Sequence, residues 1–323
     1  MKQRVLTGLI FACIFIPGIF AGGIYFYCLG LIITFVGTFE LLNMFSKKND
    51  GLKVMKYIIP LFSSLLFTML TLACTKSEYG FVFDEEKLGF DCVNFLRSFY
   101  IKGYAEFNGF FFAFLIGLLS IFIICFSSIF MRNPGRSAID MLISFLYGGV
   151  MMSMALCVEY LPVIRTTYDG IFKNLNGRMF AYVYSIVCLT DVFAYFVGVK
   201  FGKHKLCPTI SPKKSVEGAI GGTIVGALAG TGIALLFRVV PFDNTMGTGT
   251  IVLIVSITFV LSVLISICSQ FGDLFASVLK RENEIKDYGN ILPGHGGIMD
   301  RFDSLVFSAG FFFLIYFIVA YLI

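Results

Sequence analysis

Charged residues make up only 14% of this 323-residue chain, against about 25% in a typical soluble domain. Hydrophobic residues supply 58% and the mean hydropathy is +0.88. Charge this sparse, broken by apolar runs of about 20 residues, excludes one large soluble core and indicates a polytopic membrane protein. Histidine is scarcer still, with two residues, His204 and His295. The nine cysteines form no CxxC pair, so no zinc-like cluster with histidine arises. Most of them fall inside apolar runs, where a free thiol behaves as a small hydrophobe. Cys74 and Cys92 are the pair that can both face outside, and a disulfide between them stays open. No internal sequence repeat is evident.

What is present is a series of apolar runs near residues 5–22, 24–45, 57–75, 108–130, 138–158, 178–199, 217–240, 249–279 and 303–323. Each is long enough for a helix rising about 1.5 Å per residue to cross about 30 Å of hydrocarbon. The expected fold class is an all-α polytopic integral membrane protein with about nine transmembrane helices. The run at 249–279 exceeds one crossing, so its end is expected to project as a helical extension. The opening MKQRVLTGLIFACIFIPGIFAGG has the outline of a signal peptide, but the many later spans favour an uncleaved first span.

The net charge of +5 comes from basic residues placed mainly in short loops between the runs. There they set membrane orientation, and no nucleic-acid partner is expected. Most of the 25 basic residues, including Lys2, Arg4, Lys47, Lys48, Arg132, Arg136, Lys200 and Lys280, fall on the side of the N-terminus. The N-terminus is therefore expected inside and the C-terminus outside. The longest loop, 76–107, falls outside. The two richest polar stretches, 200–215 and 280–301, both fall inside.

Those stretches hold the candidate chemistry. Asp191 lies nine residues before Lys200, about 13 Å along a helix and thus in the inner half of the bilayer. An ionised group in hydrocarbon costs a few kcal/mol or more, so it has either a charged partner or a function. For Asp191 alone both readings stand open. Asp273 also lies near the inner side, and Asp300 and Asp303, three apart, share one helical face. Three converging carboxylates repel one another without a cation, and their oxygens suit Mg²⁺. The run LPGHGG is a loop whose glycines allow close backbone approach to an anion, and it feeds a helix N-terminus. Lys280, Arg281, Lys286 and Arg301 flank it, as expected of a polyphosphate–metal site. A second basic stretch, SPKKSVEG, brings Ser211, Lys214, Ser215 and Glu217 to the same side.

The run SVLKRENEIKDYGNILPGHGGIMDRFDS resembles the signature of the CDP-diacylglycerol synthase (phosphatidate cytidylyltransferase) family. Ser277, Lys280, Arg281, Lys286, Asp287, Leu292 to Gly297, Asp300, Arg301 and Asp303 fill its fixed positions. The stretch DVFAYFVGVKFGKHKLCPTISPKKSVEGAIGG is similar to the family as well. Tyr288 departs from a usually small residue, and Ser215 stands where threonine is common. The resemblance implies transfer of CMP from CTP to phosphatidate, giving CDP-diacylglycerol and pyrophosphate in phospholipid biosynthesis. It implies metal binding by Asp273, Asp300 and Asp303, as a paired-cation centre of Mg²⁺ with a monovalent ion such as K⁺. Lys280, Arg281, Lys286 and Arg301 complete the catalytic set. Asp191, Ser211, Lys214, Ser215, Glu217, Asp287, Pro293, Gly294, His295, Gly296, Gly297 and Ser304 form the expected substrate group.

The chain then divides into N-terminal transmembrane helices, 1–175, with the 76–107 loop, and a C-terminal transmembrane catalytic region, 176–323. The expected partners are CTP, phosphatidate and the bilayer, with monomer and homodimer both open. The expected setting is a bacterial inner membrane with the site on the cytoplasmic side. The rival readings are a CTP-dependent enzyme acting on another lipid phosphate and a cation-coupled transporter. Transport sites favour the midplane and repeated halves, whereas these acids cluster toward one face. The orientation is testable: a reporter fused after Ile323 should be active only outside, and one inserted in 201–215 only inside. Finding 201–215 and 282–299 both outside would move the site to the wrong side of the membrane for CTP.

Overall fold

The computed structural model describes residues 2–75, 109–161, 177–240 and 246–322. The first three helices are α1 (Lys2–Ala21), α2 (Gly23–Ser46) and α3 (Leu52–Thr75). Helix α4 (Gly109–Ile129) follows. Span α5 (Pro134–Tyr160) starts α-helical, widens into a π-helix over Ser144–Met151, and ends with a 3₁₀ turn at Val158–Tyr160. The remainder is α6 (Arg178–Phe201), a hairpin of β1 (Lys205–Cys207) and β2 (Ser211–Ser215), α7 (Val216–Leu236), α8 (Thr248–Glu282) and α9 (Met299–Leu322). Among the described residues, the eight helices α2–α9 are long and apolar enough to cross a membrane. The apolar part of α1, Thr7–Ala21, is shorter than these. The chain is thus an all-α multi-pass membrane protein, as its composition predicts. The expected outer loop 76–107 and Cys92 lie outside the described residues, while Cys74 is a buried free thiol.

Small residues set the closest helix contact. Gly218, Gly222, Gly226 and Gly230 recur every fourth position on α7 and face α6. A Cβ at Gly222 would stand 2.6 Å from the Thr190 carbonyl oxygen, so the backbones meet because no side chain intervenes. Hydroxyls then tie these helices to α8. Tyr182 pairs with Ser262 at 2.7 Å, Thr190 with Ser266 at 2.7 Å, and Gln270 donates to Thr223 at 2.8 Å. Each polar group thereby finds an internal partner, as a water-free bilayer requires. Phenylalanines join the first helices to the last: Phe15 meets Phe302 at 5.2 Å, and Phe26 meets Phe180 at 5.2 Å. Outward, Phe122, Tyr195, Phe196, Val199, Leu228 and Val252 stay exposed, as lipid-facing side chains do.

Two boundaries matter for the site: the extension of α8 is as the sequence pattern predicts, and the start of α9 differs from it. Helix α8 runs for 35 residues, about 52 Å at 1.5 Å per residue, and so carries Lys280 and Arg281 beyond its apolar run. Helix α9 begins at Met299, four residues ahead of the apolar run at 303, so Asp300 lies in its first turn. The basic loop expected at 200–215 is a two-stranded antiparallel hairpin, with Lys205 opposite Ser215 and Cys207 opposite Ser211. Ile210 donates to the Cys207 carbonyl at 3.3 Å and closes its turn. The end of α6, the hairpin, the start of α7, the end of α8 and the start of α9 all come together on one side.

Candidate active site

Lys280 sits at the centre of the polar cluster. Its ammonium lies 3.0 Å from Asp300 Oδ1 and 3.6 Å from Asp303 Oδ2, with all three side chains largely buried. The Tyr288 ring is 5.1 Å below it, adding a cation–π contact. Asp300 is fully engaged: its Oδ2 accepts the N–H groups of Tyr288 at 2.8 Å and Gly297 at 2.9 Å. Asp303 accepts only from its neighbour Ser304 N–H, at 2.8 Å, besides the long contact to Lys280. On α8, Asp273 Oδ2 pairs with Lys214 of β2 at 2.6 Å, and both side chains are partly exposed. Asp191 of α6 faces Lys214, Asp273, Asp303 and the Ser304 side chain. The four acids expected from the sequence therefore meet, with two lysines set among them.

Among the described residues Asp273, and Asp303 at its Oδ2, meet side chains and no backbone N–H, which fits them to a hard cation. Asp300 is held by two N–H groups and Lys280. Among the described residues no three acids, histidines or cysteines stand close enough to form a ready metal cage. Lysine ammonium groups supply the positive charge in that region.

The glycines approach internal anions. A Cβ at Gly297 would collide with both oxygens of Glu40, and one at Gly289 would also collide with that carboxylate. Gly296 has φ +84°, and a Cβ there would stand 2.8 Å from Asp300 Oδ2. Glu40, on α2, accepts Ile298 N–H at 3.1 Å and Met299 N–H at 2.9 Å. The N–H groups of Gly297, Ile298 and Met299 are thus all taken by carboxylates of the chain itself. Sequence reading missed Glu40, although it is the single charged residue inside the run 24–45 and such residues rarely lack a role. Tyr147 was missed too. It packs edge-on to Phe275 at 5.1 Å and Phe307 at 5.7 Å beside the acid cluster, and its buried hydroxyl has no hydrogen-bond partner among the described residues.

Other expected residues sit nearby in structural roles. The Ser215 hydroxyl caps α7 through Gly218 N–H at 3.2 Å. Glu217 accepts His204 Nδ1 at 2.6 Å and Lys203 N–H at 3.1 Å, closing the base of the hairpin. Arg301 donates to the His295 carbonyl at 2.6 Å and 3.1 Å. Pro293 accepts from Thr7 at 3.0 Å, and the His295 ring packs on Gly8. Arg281 reaches Ile210 O at 3.5 Å, tying α8 to the hairpin, where Ser211 begins β2. Lys286, Asp287 and Gly294 are exposed at the rim. Tyr288, the departure from the family pattern, donates its hydroxyl to Ala276 O at 3.0 Å and so pins the loop to α8. Burial, with Asp303 and Asp300 nearby, pushes its phenol well above the usual value, so it stays a neutral donor.

The sequence pattern of the cytidylyltransferase family matches residues 2–319. The chain is 33% identical over 324 residues to the phosphatidate cytidylyltransferase of Bacillus subtilis (strain 168), covering 99% of this chain and 98% of that protein. It is 30% identical over 307 residues to the phosphatidate cytidylyltransferase of Staphylococcus haemolyticus (strain JCSC1435), covering 95% of each. Against the protein of that name from Haemophilus influenzae (strain ATCC 51907 / DSM 11121 / KW20 / Rd) the identity is 42% over 154 residues, covering 47% of this chain and 48% of the other.

Removing one member of a buried charge group leaves the others uncompensated, at a cost of about 3–5 kcal/mol. Lys280→Gln should therefore lower the thermal unfolding midpoint in detergent, and adding Asp303→Asn should recover part of the loss. An unchanged midpoint for Lys280→Gln would show that Lys280 does not balance the two acids.

Proposed function

This chain belongs to the cytidylyltransferase family, and we propose that it transfers the cytidylyl group of CTP to phosphatidate at the Asp273–Lys280–Asp300–Asp303 cluster. The products are CDP-diacylglycerol and pyrophosphate. A phosphate oxygen of phosphatidate forms a bond to the α-phosphorus of CTP. The bond from that phosphorus to the oxygen bridging to the β-phosphate breaks, and the pair of electrons leaves with pyrophosphate. The attacking oxygen is already ionised, so no strong general base is needed. The obstacle is bringing several anions together, and fixed positive charge meets it. Lys280 and Lys214 supply that charge inside the cluster. Arg281, Lys286 and Arg301 supply it at the exposed rim, where a soluble nucleotide arrives.

Asp273 and Asp303 would hold Mg²⁺, with a monovalent ion such as K⁺ as companion, while Asp300, held by two N–H groups and Lys280, would flank them. Bound there, Mg²⁺ would neutralise phosphate charge and orient the triphosphate. The long contacts of Asp273 Oδ1 to Ser277 and of Asp303 Oδ2 to Lys280, which a cation could displace, support this assignment. We place the site on the cytoplasmic face of a bacterial inner membrane. The excess of basic residues in the same loops and the bacterial relatives support that placement.

The observation that carries the proposal is the buried Lys280 between two acids at the membrane-surface end of α8 and α9, in a chain that matches the family along nearly its whole length. The test uses purified protein in vesicles, labelled CTP and Mg²⁺, with phosphatidate compared against other lipid phosphates. Lipid product and pyrophosphate should form in equal amounts with phosphatidate alone. Asp303→Asn should lower turnover about 10²–10³-fold, the scale of removing one preorganised electrostatic group. Equal use of another lipid phosphate would overturn the substrate, and near-normal turnover in Asp303→Asn would overturn that residue's role.

A further inference from the structure

Helix α9 carries two of the site's acids, and a buried carboxylate 259 positions away in sequence holds its first turn. Glu40 is 2% exposed, and each of its oxygens accepts one backbone N–H, from Ile298 and from Met299. No lysine, arginine or histidine is paired with it among the described residues. The partial positive charge at a helix N-terminus, about half an elementary charge, is what offsets its own. Its neighbour in this arrangement is Asp300, which takes the preceding N–H, of Gly297. The two acids together account for three successive donors.

The loop is shaped around that carboxylate. Gly289 and Gly297 approach it from two sides, so closely that a methyl group on either would overlap it. Gly297 does not have a positive φ, so its backbone conformation suits alanine, and the three atoms nearest to an added Cβ all belong to Glu40. On the other side, α2 is fixed where Gly148 of the π-helix presses on Thr38 and Leu41. A Cβ at Gly148 would stand 2.9 Å from the Thr38 Cα. Glu40 thus connects the packed N-terminal helices to the first turn of α9, where a shift would move Asp300 and Asp303 relative to Lys280 of α8.

We propose that Glu40 is a positioning residue for cytidylyl transfer, setting the orientation of α9's first turn and with it the placement of Asp300 and Asp303. The proposal rests on the function argued above and extends it to a side chain that touches no substrate. It also gives the paired glycines of the loop a purpose. They make room for an internal anion at a helix end, and the triphosphate is left to the lysine side of the cluster.

Five proteins test this: wild type, Glu40→Gln, Gly297→Ala, Glu40→Ala, and Gly297→Ala combined with Glu40→Ala. Glu40→Gln preserves size but presents an amide NH₂ where one oxygen accepted an N–H. We expect its turnover per folded molecule to fall about 10–100-fold, the range for residues that orient a site's ligands, with KM for CTP nearly unchanged. Gly297→Ala should cost turnover and thermal stability in the wild-type background and much less once Glu40→Ala has removed the carboxylate. Wild-type turnover in Glu40→Gln, or a loss explained wholly by a smaller folded fraction, would overturn the positioning role. An equal cost of Gly297→Ala in both backgrounds would overturn the contact itself. Should the wild type make no CDP-diacylglycerol, the functional reading fails separately, and the unfolding midpoints of the same proteins still decide whether Glu40 and Gly297 are coupled.

Discussion

The buried ammonium of Lys280 is the interaction on which the site depends. Two carboxylates of one helical turn, Asp300 and Asp303, cannot both stay ionised near hydrocarbon without a cation between them. Lys280 comes from the part of α8 that extends past its apolar run, so the length of that helix is what delivers the charge. The same reasoning applies at Asp273, where Lys214 arrives from the hairpin between α6 and α7. Three segments, the hairpin, the end of α8 and the start of α9, are thereby drawn to one point by charge balance, over a bundle assembled by small residues and phenylalanines.

A consequence concerns how anions are handled at helix ends. The N-terminus of α9 attracts negative charge, but the chain fills that position with its own carboxylates, Glu40 and Asp300. The glycines that would permit close approach of a phosphate instead permit close approach of these two side chains. In the proposed reaction substrate phosphates would be left to the side-chain cations. Such a division suits a reaction in which a soluble nucleotide and a lipid headgroup meet at a surface.

Much of this was legible in the sequence because the relevant signals are local. Apolar runs gave the spans to within a few residues, and the i,i+3 pair Asp300 and Asp303 announced a shared face. The run from Lys280 to Ser304 carried its chemistry in one stretch. What was not legible depended on distance. Nothing near Glu40 in the chain shows that it reaches Ile298 and Met299, although its isolation in an apolar run marked it as needing a partner. Ser215 and Glu217 read as substrate groups because they are polar and near lysines, yet their first partners are Gly218 and His204. The start of α9 came earlier than its hydrophobic run because capping carboxylates, and not hydropathy, determine where that helix begins.

The central claim is that this lysine-balanced acid cluster receives a divalent cation and a triphosphate together. Electron paramagnetic resonance of Mn²⁺, substituted for Mg²⁺ in purified protein, addresses it without relying on turnover. A protein-bound Mn²⁺ signal should strengthen when CTP is added to the wild type, and it should be lost in a folded Asp273→Asn, Asp303→Asn double variant. A double variant that binds Mn²⁺ and CTP as the wild type does would contradict the central claim.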